Sequence, residues 1–349
     1  MRCCSARSAT ACCTTVTARW PSSGTGATGP TEPVPRSGRG RCRHNGLSRP
    51  EGKHQMNRPV VAGVDGSPSS LAAADLAAAT AVARSRPLLL VHGYLHPLGY
   101  GVPLNPYDLG VPAPTAESER MLESVAADLA ERHPGLRVQV RQVAGGPGAA
   151  VVEESRRAEL VVVGSRGVGG FAGLMLGSVS GQLAQHGHCP VLIVRPEEQP
   201  IPVDGPVLVG VDGSDSAAYA IELAADEAER RDAELVLAHV RSPEHGAVAP
   251  QVAAEAATAG QAEAAGLLAE AADRVRAAHP GLRVTERPLT AASPENALVE
   301  ASGEASLVVV GSRGRGGFAG LLLGSVSQAL VQHSHCPVLV AHRPEPADD

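Results

Sequence analysis

The 349 residues suffice for two domains of ordinary size, and a chain that is 43% hydrophobic and 19% charged has the composition of a water-soluble globular protein. Aromatic residues make up only 2%, which excludes a base-stacking platform for single-stranded nucleic acid, and no apolar run approaches the ~18 residues of a membrane span. Residues 1–55 carry nine Lys/Arg against two acids, whereas residues 56–349 carry 21 against 34; a body at −13 offers no electrostatic footprint for nucleic acid.

The tail, residues 1–55, is rich in Arg, Ser, Thr, Gly and Pro without apolar periodicity, so it is expected to be disordered. A transit peptide, a cysteine-based metal or redox arm and a start placed upstream of the true one all fit its composition. Met56, just before the first apolar run, favours the last. Cys3, Cys4, Cys12, Cys13 and Cys42 lie in the tail, leaving Cys189 and Cys336 for the body. Two cysteines at matching places are no disulfide scaffold, and a reducing cytoplasm is the expected compartment.

Residues 60–64 read as a buried strand. Ser67-Pro68 supplies a helix cap and first position, and a helix runs from there to about Arg84. Strands at 88–92, 136–143, 160–163 and 191–194 then alternate with helices at 117–133, after Pro147, and at 178–186. The whole order recurs, with strands near 207–211, 235–240, 282–289, 307–310 and 338–341. Val-Asp-Gly-Ser at 64–67 returns at 211–214, Gly-Ser-Arg-Gly at 164–167 returns at 311–314, and His-x-His-Cys-Pro-Val-Leu at 186–192 returns at 333–339. All three pairs are offset by 147 residues, with one compensated single-residue shift near 133–143. This is a duplicated domain rather than a solenoid repeat. The expected fold is α/β: two tandem doubly wound, parallel, five-stranded sheets of order 3-2-1-4-5, covered on both faces. The expected domains are 56–197 and 205–349, with a linker at 198–204.

In such a sheet ligands bind beyond the carboxyl ends of the strands, where the strand order reverses, here between strands one and four. Asp65 and Asp212 end strand one of each unit. Strand four is followed by a loop of form Gly-x2-Gly-x9-Gly-Ser: Gly164, Gly167, Gly177 and Ser178, then Gly311, Gly314, Gly324 and Ser325. Glycines let backbone approach phosphate, and the next helix start offers unpaired N–H groups. Ser178 and Ser325 can serve phosphate or cap the helix. The body has no lysine, which excludes a Walker-type P-loop, so Arg166 and Arg313 are the cations left for phosphate. Arg315 stands where the first loop has Val168, and the second site is expected to bind more tightly.

These loops, the aspartates and the closing His-x-x-Cys-Pro-Val-Leu resemble the ATP-binding branch of the universal stress proteins, twice over across nearly all of residues 56–345. The resemblance implies a fold like that of the adenine nucleotide alpha hydrolases and ATP, with or without Mg2+, as the ligand. It implies that Asp65 and Asp212 meet the adenosine end and that the loops, including Ser165 and Ser312, hold the phosphates. Backbone contacts are implied from Gly63 and Gly210, and from the ends of the second strands near Gly93 and Val240. It further implies antiparallel pairing of the two last strands within one chain, with a homodimer left open.

The aspartates could instead only cap a turn, and the glycine loops could be mere connections; their duplication at equal spacing argues for a ligand. His186, His188 and Cys189, with their copies, look like metal ligands, but histidines two apart point to different sides and Cys-Pro opens a buried strand, so packing is expected. The stretch 248–278 reads as an amphipathic cover. The expected function is a regulatory ATP-binding protein with at most slow hydrolysis and no catalytic base. A nucleotide-hydrolysing or adenylyl-transferring enzyme and an adaptor using the cysteine tail remain as alternatives.

Overall fold

The computed structural model describes residues 58–94, 116–167, 176–195, 205–243, 250–315 and 322–344, with residues 250–256 as backbone only. The tail with its five cysteines, the linker and the middles of both glycine loops, Val168 among them, lie outside the described residues.

Short β-branched runs make the sheet. In the first half β1 is Val60–Gly63, β2 Leu88–Tyr94, β3 Val138–Ala144, β4 Leu160–Gly164 and β5 Val191–Val194; in the second, β6 is Val207–Gly210, β7 Leu235–Arg241, β8 Val284–Thr290, β9 Leu307–Gly311 and β10 Val338–Ala341. They form one sheet ordered β3-β2-β1-β4-β5-β10-β9-β6-β7-β8. Each half thus has the order 3-2-1-4-5 and is parallel throughout, with Val60 opposite both Leu88 and Leu160. At the centre β5 and β10 run antiparallel, Leu192 opposite Leu339.

Alternation along the strands sends neighbouring side chains to opposite faces. Val60, Ala62, Leu88, Leu90, Leu160 and Val162 enter one apolar layer, which continues into Val207, Val209, Leu235 and Leu307 of the second half. Val61, Leu89, Val161, Val163 and Ile193 enter the other, which continues into Leu208, Val308 and Val340. The edge strands depart from the expectation of cover on both faces. Every residue of β3 is half-buried or exposed, Val140 being 46% exposed, and β8 is similar. β3 also begins at Val138 rather than 136, because the Leu136 N–H turns back to the carbonyl of His133.

Helix α1, Pro68–Ala83, starts where Ser67 Oγ accepts from the Ser70 N–H (3.2 Å) and Pro68 takes the first turn. It buries Ala73, Ala74, Ala77, Ala78 and Ala81, a stripe of small residues that brings the helix close to the sheet. It ends with Ser85 at φ +53° and the Arg86 N–H on the carbonyl of Ala81, a left-handed termination that Asp232, also at φ +53°, repeats in the second half. The remaining helices are α2 Ala116–Arg132, α3 Pro147–Ser155, α4 Ser178–His186, α5 Asp215–Arg230, α6 Pro250–Ala278, α7 Pro294–Ala301 and α8 Ser325–His333. Among the described residues no helix is long and apolar enough to cross a membrane.

Among the described residues two kinds of polar contact tie the halves together, beside the strand pair and the shared apolar layers. Arg84, closing α1, bonds to Glu227 of α5 and to Glu159 (3.1 Å), while Arg230 (2.9 Å) and Arg231 (3.4 Å) flank the same Glu227. The second contact is reciprocal: Arg195, just past β5, donates to the carbonyls of Val331 (2.9 Å) and Gln332 at the end of α8, and His342, just past β10, bonds the carbonyl of Ala184 near the end of α4 (3.0 Å). A cation at a helix C-terminus interacts favourably with the exposed carbonyls, so Arg195 suits its place.

Candidate functional site

Each crevice opens with the turn leaving the first strand. Gly66 (φ +82°) and Gly213 (φ +78°) occupy the left-handed region, where glycine is at no disadvantage. The preceding aspartate shapes the turn: Asp65 Oδ1 accepts from the Ser67 N–H (3.0 Å), and Asp212 Oδ1 accepts from the N–H (3.0 Å) and hydroxyl (2.6 Å) of Ser214. The turn-forming role foreseen for these residues is therefore real, but it engages one oxygen. The other faces the glycine loop. A Cβ on Gly314 would stand 2.5 Å from Asp212 Oδ2, and one on Gly167 would come closer still to Asp65 Oδ2. Asp212 Oδ2 also accepts from the Arg315 N–H (3.0 Å), which leaves that carboxylate about one unused lone-pair site.

The glycine loop closes on itself. The carbonyl of Ser165 accepts from the Gly177 N–H (2.7 Å) and from Ser180 Oγ (3.0 Å); that of Ser312 accepts from the Gly324 N–H (2.9 Å), and that of Gly311 from Ser327 Oγ (2.6 Å). Gly177 and Gly324 are thereby set as the N-caps of α4 and α8, with no side chain capping either helix. Of the two roles open to Ser178 and Ser325, that of helix cap falls away, since each stands one position past the cap. The hydroxyl of Ser325 instead acts on Glu295, whose carboxyl is held below its usual range by its own N–H and by the hydroxyls of Ser325 and Ser293. Two first-turn helix ends thus present N–H groups without a side-chain acceptor toward the crevice, which suits an anion.

Gly164 and Gly311 have a further reason to be glycine. A Cβ on Gly164 would stand 2.7 Å from the carbonyl carbon of Ser69, and one on Gly311 2.5 Å from Ser216 Oγ, so the first helix of each half can settle against the fourth strand only there. The Arg313 N–H reaches Ser216 Oγ (3.4 Å) in the second half.

In the second half these walls enclose a cavity of about 530 Å3. Gly210, Asp212, Gly311, Arg313, Gly314, Gly324 and Ser325 line it, as do Val240 and Arg315. Ser312 does not; it faces another cavity on the far side of its loop. In the first half the walls stand closer. A Cβ on Gly63 would be 3.1 Å from Val163 Cγ1, against 3.6 Å from the nearest atom for Gly210, and Gly93 is met by Pro147, whose Cα would stand 2.5 Å from a Cβ there. Arg166 is exposed beside Gly167.

Sequence reasoning passed over one repeated side chain. His92 and His239 stand on the second strands, each bonding through Nδ1 to the carbonyl that precedes the aspartate, Val64 (2.8 Å) or Val211 (2.6 Å). A carbonyl only accepts, so Nδ1 carries the proton and the neutral ring keeps Nε2 as an acceptor. His239 lines the cavity. The signal was present: both histidines obey the offset of 147.

Cys189 and Cys336 are buried, and burial pushes their thiols up to about 12 and about 11, which leaves them unreactive at neutral pH. His186 differs from the expectation of packing: it is exposed and, with His188, lines the cavity that Ser312 faces. No cluster of three or more His, Cys, Asp or Glu side chains suited to a metal occurs among the described residues.

Comparison with known proteins agrees with this geometry. Residues 56–195 and again 205–342 match the Universal stress protein family. A universal stress protein of Mycobacterium tuberculosis is 38% identical over 292 residues, covering 81% of this chain and 95% of its own, and one of Mycobacterium bovis is 37% identical over 303 residues, covering 85% and 100%. The crystal structure of a universal stress protein from Archaeoglobus fulgidus shares the fold, with a TM-score of 0.59 at 22% identity, over 83% of this chain and 98% of that one.

Proposed function

The chain belongs to the universal stress protein family, and from that premise we propose that it binds ATP in the crevice of each half and acts as a regulator in a stress response. The units are residues 56–197 and 205–349, joined by 198–204 and paired through β5 and β10 in one chain. Gly167 against Asp65, and Gly314 against Asp212, is the observation that carries the reading: in both halves the loop and the acid meet across the switch point of the sheet.

The phosphates lie on the main-chain N–H groups of the loops and of the first turns of α4 and α8, with Arg166 and Arg313 adding charge; Mg2+ accompanies them as it accompanies ATP in water. Asp65 and Asp212 accept from a ribose hydroxyl, and His239 Nε2 is a second acceptor near the nucleoside. A cavity of about 530 Å3 is within the ~300–1,000 Å3 of small-molecule sites. Hydrogen bonds to a charged partner contribute about 1.5–3 kcal/mol each, so a few well-placed N–H groups suffice for micromolar affinity, about 8 kcal/mol. The carboxylates here are engaged in turns and caps, which favours binding with at most slow hydrolysis over catalysis.

Mass spectrometry of nucleotide released on denaturing freshly purified protein is the test. ATP at up to two equivalents supports the reading, and a chain that neither carries nor takes up adenine nucleotide ends it. Steady-state turnover in wild-type and Asp65→Ala/Asp212→Ala protein separates the binder from the enzyme; fast turnover abolished by the substitutions assigns the enzyme.

A further inference from the structure

A second cavity, of about 730 Å3, lies where the halves meet. It is walled by the C-terminal ends of α3 and α4, the start of α5, the second glycine loop and the segment after β10. Its chemistry is one-sided. Arg156, His186, His188, Arg313, His342 and Arg343 line it, and Asp215 is the one acid among its described lining. Arg156 is ion-paired to exposed Glu153 (3.1 Å) and approaches His188 Nδ1 (3.5 Å), so it sits at the rim as part of a surface pair. Arg343 lies over the ring of Tyr219, 5.4 Å from its centre, which holds its guanidinium at the mouth. His342 is buried at the floor, and burial together with the neighbouring charges of His188, Arg313 and His186 pushes it down to about 4 against the pull of its bond to Ala184. All three neighbours oppose a positive charge on His342.

Across the seam the related position is filled differently. Arg195 stands where the second half has His342, and its longer side chain reaches over to Val331 and Gln332. The shorter histidine stops at Ala184 and leaves room above it. Pro196, Ala72 and Pro68 of the first half correspond to Arg343, Tyr219 and Asp215, so this arginine and the ring beneath it occur in the second half only.

We propose that this cavity is an anion site distinct from the nucleotide crevices, taking a phosphate-class polyanion, either a free polyphosphate or the phosphate tail of a nucleotide, between Arg313, Arg343 and the His186–His188 pair. Guanidinium groups match phosphate oxygens bidentately, and histidines beside them add ring N–H donors. Arg313 lines both this cavity and the crevice of the second half. Occupancy of one is therefore felt by the other, a consequence that, unlike the site, rests on the nucleotide reading.

Calorimetric titration of tripolyphosphate and, separately, of ATP into the whole chain and into His186→Gln/Arg343→Gln tests it. Both substituted residues are exposed, and an unchanged thermal midpoint verifies the fold. Tripolyphosphate is expected to bind wild type with one equivalent that weakens at least tenfold in the double variant and survives Gly167→Val/Gly314→Val, which damages only the crevices. One extra equivalent of ATP, lost with His186→Gln/Arg343→Gln, assigns the nucleotide as source; its absence assigns the free anion. No tripolyphosphate binding at millimolar concentration, or binding lost with the glycine substitutions and indifferent to His186 and Arg343, overturns the site whether or not ATP enters the crevices.

Discussion

The first half and the second fold to the same strand order from sequences matched at their turns, yet they differ where the crevice is narrow. Gly93 lets Pro147 close on the second strand of the first half; the second half has Val240 there, and beside it an open cavity lined by His239 and Leu298. Duplication preserved what the turn chemistry and the sheet require, namely Asp-Gly-Ser, the loop glycines and the buried β-branched strands. The crevice walls were free to diverge. The seam diverged as well, since Glu227 gathers three arginines while its first-half equivalent, Thr80, only bonds the carbonyl of Leu76 (2.7 Å).

The seam gives the largest expected effect. Glu227 and Arg84 are 9% and 8% exposed; removing Glu227 leaves Arg84 only its second partner, Glu159, so the loss falls toward the lower end of the ~3–5 kcal/mol of an uncompensated buried charge. Glu227→Ala should lose about that in urea unfolding, whereas Thr80→Ala should lose about 1 kcal/mol or less; equal losses would break the comparison. Burial alone would raise the Glu227 carboxyl, but Arg84, and after it Arg230 and Arg231, hold it down at about 2. An unfolded glutamate titrates near 4.3, so the pair's contribution is whole at neutral pH and is lost as the pH falls from about 5 to about 2. The stability gap between wild type and Glu227→Gln should shrink over that window.

Gly93→Ala is the next probe. Its Cβ would stand 2.5 Å from backbone that cannot yield cheaply, so overpacking should cost about 1–3 kcal/mol by chemical denaturation. Val240→Ala, at the same place in the second half, should cost about 1 kcal/mol or less, and a reversed ranking would show the first crevice to be the looser one. Arg315 sharpens the difference in binding: Arg315→Ala should weaken the second site up to about tenfold, or 1.4 kcal/mol, and leave the first unchanged. The smallest effect should be shared. Ser85→Gly and Asp232→Gly relieve left-handed backbone at equivalent helix ends and should each stabilise by about 1 kcal/mol, visible as a higher thermal midpoint.

Most of the fold was legible because each buried strand is an uninterrupted apolar run and the repeat doubled every signal. The edge strands were less so: β3 carries Gln139, Arg141 and Gln142, and only its place beyond β2 explains their exposure. At the site, the meeting of Asp65 with Gly167 followed from topology alone. What stayed hidden depends on distances between segments remote in sequence. The cap at Gly177 rather than Ser178 follows from the loop bonding back to Ser165, and the release of His186 from packing follows from a cavity shared by five segments. Neither is written in a local pattern.

Titration of ATP into wild type, Gly167→Val and Gly314→Val bears most directly on the claim that acid and glycine loop form one crevice in each half. The added side chain would collide with Asp65 or Asp212, so each variant should lose one equivalent of ATP and keep the other, Gly314→Val losing the tighter. Two undiminished sites in both variants would contradict the account.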